Sequence, residues 1–313
     1  MKRTAILILA AILLFSLVPT GFSFAEAEEG DHPVWEIWGE MMASEPEAKE
    51  YTFEKAFDPS DFRPTLTAFL LGDQTDAKGN MIVCSGGGDR SRSDDKEGIP
   101  ACEFLNSIGY NAFLLDYRVA PYRSGTMTLD VQRAVRWLKH NSEELKIANP
   151  DKIGLMGFSA GAMHCYGEAI AFSGSITPDS VYPEYVCDEV DAENADVAVV
   201  VCVYAAGMAH DTKAEDVDIK APILLLDEAD HNYPEQLPSF FFAGASGHFA
   251  SGFCVMAYQA LNPLTVCELH MYGGINNPFW LGDQYDGADQ MRDQLSAFLD
   301  FRFGYRDRAR RTD

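Results

Sequence analysis

Five residues near the middle of the chain, Gly157-Phe158-Ser159-Ala160-Gly161, have the spacing of a nucleophile elbow. In such an elbow a strand turns abruptly into a helix and lifts one serine hydroxyl clear of the backbone. Glycines are needed on either side because side chains there would collide with the flanking strand and helix. A serine hydroxyl is a weak nucleophile at neutral pH and needs a neighbouring general base. The alternative is a structural turn whose serine is idle. A second run, Ser85-Gly86-Gly87-Gly88, closes an earlier apolar stretch. Its backbone can turn N–H groups toward a developing oxyanion, with Gly86, Gly87 and the N–H of Ala160 as the expected oxyanion hole. A phosphate-cradling loop is the rival for this run, but it lacks the Lys-Ser/Thr ending of a P-loop.

Both runs need strands to carry them, and the chain supplies these. "MIVCSGGG" reads as a buried strand ending in glycines, and "KIGLMGFSAG" as a strand entering a sharp turn and a helix. "RPTLTAFLL" reads as a strand and "DAKGN" as a hairpin turn. "IPACEFLNSIGY" is helical to Gly109, and "NAFLLDYR" is a strand. "TLDVQRAVRWLKHN" places Leu129, Ala134, Val135 and Leu138 at helical spacing. "DVAVVVCVY" and "SFFFAGAS" are nearly continuous apolar runs, as in strands covered on both faces. "FASGFCVMAYQAL" is helical, "TVCELHMY" is a last strand, and "GADQMRDQLSAFLDFRFG" a closing helix. Strands alternating with helices imply a mainly parallel central sheet with helices on both faces, forming one α/β domain over 59–305. The irregular, acidic stretch 168–195 reads as a short cap excursion. In the N-terminal extension 26–58, "PVWEIWGEMM" is spaced as a short amphipathic helix with Trp35 and Trp38 on one face.

The chain of 313 residues is 47% hydrophobic, enough for a large core, and carries a formal charge of −24. Residues 1–25 have a basic start, an apolar run and a small-residue exit, the layout of a signal peptide for a secreted protein. An uncleaved anchor is the alternative, although Pro19 and Gly21 interrupt the run. No later segment reaches the roughly 20 apolar residues of a membrane span. Cleavage would remove Lys2 and Arg3 and no acid, taking −24 to −26. Such a surface repels phosphate backbones and anionic lipid, so neither nucleic acid nor a membrane is an expected partner. The basic tail 306–313 reads as the solvated end of the last helix. Seven cysteines show no CxxC pair. Most sit in apolar runs as small hydrophobes, and Cys187 or Cys254 would be candidates for a disulfide in an exported protein. No His/Cys/Asp cluster has metal-ligand spacing, so no metal is expected.

Taken together, "VCSGGGDRSRSDDKEG", "GYNAFLLDYRVAPY", "TLDVQRAVRWLKHN", "DKIGLMGFSAG" and "CELHMY" resemble the secreted acetyl-esterase and feruloyl-esterase-like (BD-FAE-like) group of α/β-hydrolases, relatives of acetylxylan esterases. The resemblance runs in order from about residue 65 to 303. It implies an α/β-hydrolase fold, ester hydrolysis, often of acetyl groups on plant polysaccharides, a Ser–Asp–His triad and no cofactor. Ser159 matches the family's nucleophile. The family's acid position, after "PSFFFAGASGH", falls on Ser246. The histidine position, in "HMYGGINNPFWLG", falls on Asn277, which cannot take a proton at neutral pH. Asp230 is the alternative acid, but choosing it leaves "SFFFAGAS" without a strand role. No histidine follows His270, which lies within the last strand.

Two readings of function follow from these residues. In an esterase acting on small acyl esters, acetylated carbohydrate among them, His248 supplies the base and an aspartate such as Asp283 holds its ring. The alternative for His248 is a surface histidine. His164 on the elbow helix reads as a packed residue, His210 and His231 lie in irregular segments, and His32 and His140 look peripheral. In the second reading the fold is catalytically silenced and its cleft binds a glycan or a partner. Disabling the acid or base of such a triad costs on the order of 10⁴ to 10⁶ in turnover. Ser159 and an oxyanion hole alone would therefore make a very slow esterase.

Overall fold

A computed structural model describes residues 32–39, 58–59, 61–205, 239–244, 254, 258–259, 267–272 and 288–305. Among the described residues eight strands form one sheet: β1 (Val34–Glu36), β2 (Thr65–Phe69), β3 (Asn80–Cys84), β4 (Asn111–Asp116), β5 (Ile153–Phe158), β6 (Val199–Val203), β7 (Ser239–Gly244) and β8 (Cys267–Tyr272). Their order is β1-β2-β4-β3-β5-β6-β7-β8. The pairs β1–β2 and β2–β4 are antiparallel, and every pair from β4–β3 to β7–β8 is parallel. Helices α1 (Ile99–Ser107), α2 (Ser124–Asn141), α3 (Ala160–Gly167) and α4 (Ala288–Arg302) cover it.

Every residue of β3, β5 and β6 is buried, which explains why their sequences run apolar without alternation. Successive residues feed opposite layers. Ile82, Leu155 and Val200 pack in a core that includes Leu129, Val135 and Leu138 of α2 and Ala162 and Cys165 of α3. Their neighbours Val83, Met156 and Val201 face Ala101 and Leu105 of α1 and Met291, Leu295 and Leu299 of α4. Each parallel strand must return by a crossover, and this puts helices on both faces.

Two local expectations fail. The "DAKGN" turn does not close a hairpin, because β2 pairs with β4 rather than with β3. β2 alternates half-buried and buried positions, fitting a place near the sheet edge, whereas β3 is buried throughout and belongs inside. The expected helix at Trp35 and Trp38 is also absent. Val34–Glu36 forms the edge strand β1, Trp35 stacks on Trp137 at 5.5 Å, and the Trp38 indole N–H donates to Asp130 Oδ1 at 2.7 Å. Asp130 also receives the Arg118 guanidinium at 2.5 Å, with both side chains wholly buried. This ion pair joins the end of β4 to α2. All seven cysteines are free thiols and only Cys187 is exposed, so the disulfide considered for Cys187 or Cys254 does not form.

Between α3 and β6 the chain runs irregularly, with short helical turns at Glu168–Phe172, Pro178–Ser180 and Val190–Ala192. Side chains of α2 lay it down. Gln132 donates to the Phe172 and Ile176 carbonyls at 2.5 and 2.6 Å, and Arg136 to Ile176 at 2.7 Å. Arg133 grips Asp188 at 2.6 Å and Asp191 at 3.0 Å, and Lys139 binds the Asn194 and Asp196 carbonyls. At the root of the excursion Glu168 is wholly buried, and neither carboxyl oxygen has a hydrogen-bond partner among the described residues. Burial raises its carboxyl from an ordinary 4.5 to about 8, against the smaller pull of the Lys139 and Arg136 charges.

Candidate active site

β5 delivers Ser159 to the C-terminal edge of the parallel strands, and α3 departs immediately behind it. The serine has φ 50° and ψ −117°, a strained conformation that non-glycine residues adopt only when the surroundings enforce it. Enforcement comes from both sides. The Ser159 N–H donates to the Val203 carbonyl of β6 at 2.9 Å, and its carbonyl accepts from Met163 in α3. A Cβ on Gly157 would lie 2.5 Å from the Ala162 Cα, and one on Gly161 would overlap the Cys84 and Ser85 carbonyl oxygens. The two glycines of the motif are thus demanded by the close approach of α3 to β5 and β3.

The glycine run closes over the same point. A Cβ on Gly86 would stand 2.8 Å from the Ser159 Cβ and 2.9 Å from the Phe158 carbonyl, so Gly86 backbone and elbow touch with nothing between them. Its N–H, however, is donated to Glu97 Oε2 at 2.6 Å. That is a correction to the expected oxyanion hole: Gly86 lines the elbow, but its N–H is already engaged. Gly87 and Ala160 remain as the expected donors. The other carboxylate oxygen, Glu97 Oε1, accepts the Tyr204 hydroxyl at 2.5 Å. Burial pushes the Glu97 carboxyl above the usual range, opposed by its hydrogen bonds from Tyr204 and Gly86. Further ties fix the loop: Ser85 Oγ donates to Asp94 at 2.6 Å, Tyr117 OH to the Ser85 carbonyl at 2.7 Å, and Ser93 N–H to the Gly86 carbonyl at 2.9 Å.

The described histidines do not serve Ser159. His164 is buried on α3, with Nε2 3.0 Å from Asp89 Oδ1, Nδ1 3.3 Å from Thr128 Oγ1, and the Tyr117 ring edge-on. Both ring nitrogens are therefore used in packing. His32 stacks on Phe69, His140 lies beside Glu193, and the His270 ring faces Glu268. Ser246, His248, Asn277, Asp230, Asp283, His210 and His231 lie outside the described residues. Glu97 and Tyr204 escaped the sequence reading. The only signal was their place near the ends of the segments that follow and flank the two glycine runs.

The strand order, the elbow at the tip of β5 and the glycine loop at the tip of β3 together define the α/β-hydrolase fold. Residues 70–170 match the BD-FAE family model, a span that holds both glycine runs and Glu97. An acetylxylan esterase from Xylanibacter ruminicola is 29% identical over 140 residues, 44% of this chain. The match spans about a quarter of that relative's length, 26%. Among solved structures, an acetyl ester-xyloside bifunctional hydrolase from Caldicellulosiruptor lactoaceticus superposes with a TM-score of 0.63 at 23% identity, over 86% of this chain and 98% of its own. A thermophilic esterase from Thermogutta terrifontis with butyrate bound gives 0.58 at 19% identity, over 80% of this chain and 94% of its own. These neighbours are carboxylic ester hydrolases.

Proposed function

We propose that the protein is a serine carboxyl-ester hydrolase acting on small acyl esters, with acetylated carbohydrate as the favoured substrate class and export through the 1–25 leader. The observation that carries this is the enforced backbone of Ser159 with the glycine loop packed directly against it. Ser159 Oγ adds to the ester carbonyl, and the N–H groups of Gly87 and Ala160 receive the oxyanion. A base takes the hydroxyl proton and returns it to the departing alkoxide, and water then releases the acyl group. His248 is the proposed base, replacing the histidine that Asn277 displaces. The names of the neighbouring proteins, an acetylxylan esterase and an acetyl ester-xyloside hydrolase, support the substrate class. Hydrolysis of an aryl acetate by the purified protein, measured beside Ser159→Ala, is the direct test. A rate no higher than that of the variant refutes the proposal.

A second reading is favoured by Ser246 and Asn277 at the family's acid and base positions: a silenced hydrolase fold whose cleft binds a glycan or partner. Covalent labelling separates the two. The Thermogutta terrifontis esterase is known phosphonylated by sarin, and a fluorophosphonate probe asks the same of Ser159. Prompt labelling supports the enzyme, and an inert serine in a folded protein supports the binder.

A further inference from the structure

We infer that Glu97 is a positioning residue, a carboxylate brace that bridges the tips of β3 and β6 over the end of β5 and fixes the glycine loop against Ser159. This inference rests on the hydrolase reading above and names a device within its site.

The topology gives the brace its meaning. β3 and β6 are the two neighbours of β5, so the loops that leave them flank the nucleophile from either side. Glu97 belongs to neither. It sits in the Asp94–Gly98 turn that opens α1, and its side chain reaches both: Oε2 takes the Gly86 N–H beyond β3, and Oε1 takes the Tyr204 hydroxyl beyond β6. Tyr204 directly follows Val203, whose carbonyl holds the Ser159 N–H. One carboxylate thus links the residue packed on the Ser159 Cβ with the strand end that fixes the Ser159 backbone. The side chains of Glu97 and Tyr204 are buried, and their polar atoms are engaged with each other and with Gly86. A virtual Cβ on Gly86 stands 3.1 Å from Glu97 Oε2 and 2.8 Å from the Ser159 Cβ. The loop is therefore pinned between the two side chains and has little room to shift.

Hydrogen bonds of this length are strong and directional, and the two oxygens of one carboxyl group accept both donors without rearrangement. A buried acid in a low-dielectric site is otherwise unfavourable. Its persistence is explained by two donors that would themselves be left unsatisfied without it. The next residue, Gly87, has φ 152°. Its N–H direction follows from how Gly86 is held, and an oxyanion donor misplaced by even 1 Å loses most of its effect.

Two substitutions separate bracing from mere packing. Glutamine keeps the shape, accepts the Gly86 N–H with its carbonyl and donates its amide to the Tyr204 oxygen. Leucine fills the space with neither bond. The measurements are amide hydrogen exchange at Gly86 in the full-length protein labelled with ¹⁵N-glycine, together with kcat and KM for an aryl acetate. In Glu97→Leu the Gly86 amide is expected to exchange at least about 100-fold faster, and kcat to fall about 100-fold with KM changed little. Glu97→Gln should keep the Gly86 amide protected and recover most of the rate. If leucine leaves the Gly86 exchange unchanged, or if glutamine loses kcat as fully as leucine, the brace is refuted. Should leucine prevent folding, Tyr204→Phe removes one arm only, and its Gly86 amide must exchange measurably faster or the bridge is refuted. A wild type inert to both aryl acetate and fluorophosphonate would overturn the esterase reading alone, because the exchange of Gly86 still decides whether Glu97 holds the loop.

Discussion

Replacing Glu168 by glutamine should stabilise the protein, increasingly so as the pH rises. The carboxyl is wholly buried at the start of the excursion between α3 and β6, and neither oxygen finds a partner among the described residues. Its proton affinity rises from an ordinary 4.5 to about 8 on folding, chiefly through burial. The neutral acid is the form the interior tolerates, so this group's contribution is fully favourable below about pH 4.5 and is lost as the pH climbs through 8. Each tenfold change in proton affinity is about 1.4 kcal/mol, which makes the full loss about 5 kcal/mol and the part incurred by pH 7 about 3 kcal/mol. Glutamine has nearly the same shape and the same unsatisfied amide burden at every pH, so the difference between the two proteins isolates the ionisation. Urea unfolding at pH 5, 7 and 9 reads it out. At pH 7 the variant midpoint should lie about 1 M higher, with the gap nearly closed at pH 5 and wider at pH 9. Midpoints that stay parallel from pH 5 to 9 would mean that Glu168 ionises in the fold as readily as in water, and the reasoning would be wrong.

His248→Ala is expected to lower the aryl-acetate kcat by at least about 10³, and wild-type activity should fall as acid protonates an imidazole; a kcat within tenfold of the parent removes His248 as the base. His164→Ala should leave kcat within a few-fold yet lower the melting temperature, because the ring joins Thr128 and Asp89 rather than the nucleophile. Gly161→Ala should destabilise by about 3 kcal/mol, since the new methyl meets the Cys84 carbonyl of a central strand rather than a yielding side chain; an unchanged unfolding midpoint would contradict that packing. Asp130→Ala takes from the wholly buried Arg118 a carboxylate it is paired with and should cost about 3 kcal/mol in a urea titration.

The parts of the site that could be read from the sequence are those fixed by backbone geometry. Glycine at 157 and 161 is a steric requirement of the elbow, so it leaves a local trace. The fully buried strands β3, β5 and β6 announce themselves as unbroken apolar runs. What could not be read depends on distant partners. "DAKGN" bends the chain but cannot say that β4 will slip between β2 and β3. Trp35 and Trp38 are as compatible with a short strand as with a helical face, and the choice is made by Trp137 and Asp130 far along the chain. Glu97 sits in the acidic run "SDDKEG", where neither its type nor its spacing sets it apart from its neighbours. Only the arrival of Gly86 and of Tyr204, 107 residues away, turns it into a buried brace.

The seat of Ser159 also bears on how this chain can drift under mutation. At φ 50° and ψ −117° a glycine would relax the backbone, and the serine gives up roughly 1 kcal/mol or more by standing there. Proteins accumulate stabilising replacements most easily where no task forbids them, and active sites are where the two pressures oppose each other. Were the hydroxyl idle, this position would be among the first in the molecule where random change gains stability at no loss of function. One substitution would suffice, and the elbow would hold its shape without any compensating change elsewhere. This chain instead holds a serine, poorly suited to that backbone, at the point where α3, β5 and the glycine loop converge. That tension is what the proposed role of Ser159 as nucleophile would leave behind, a side chain kept for chemistry rather than for fit.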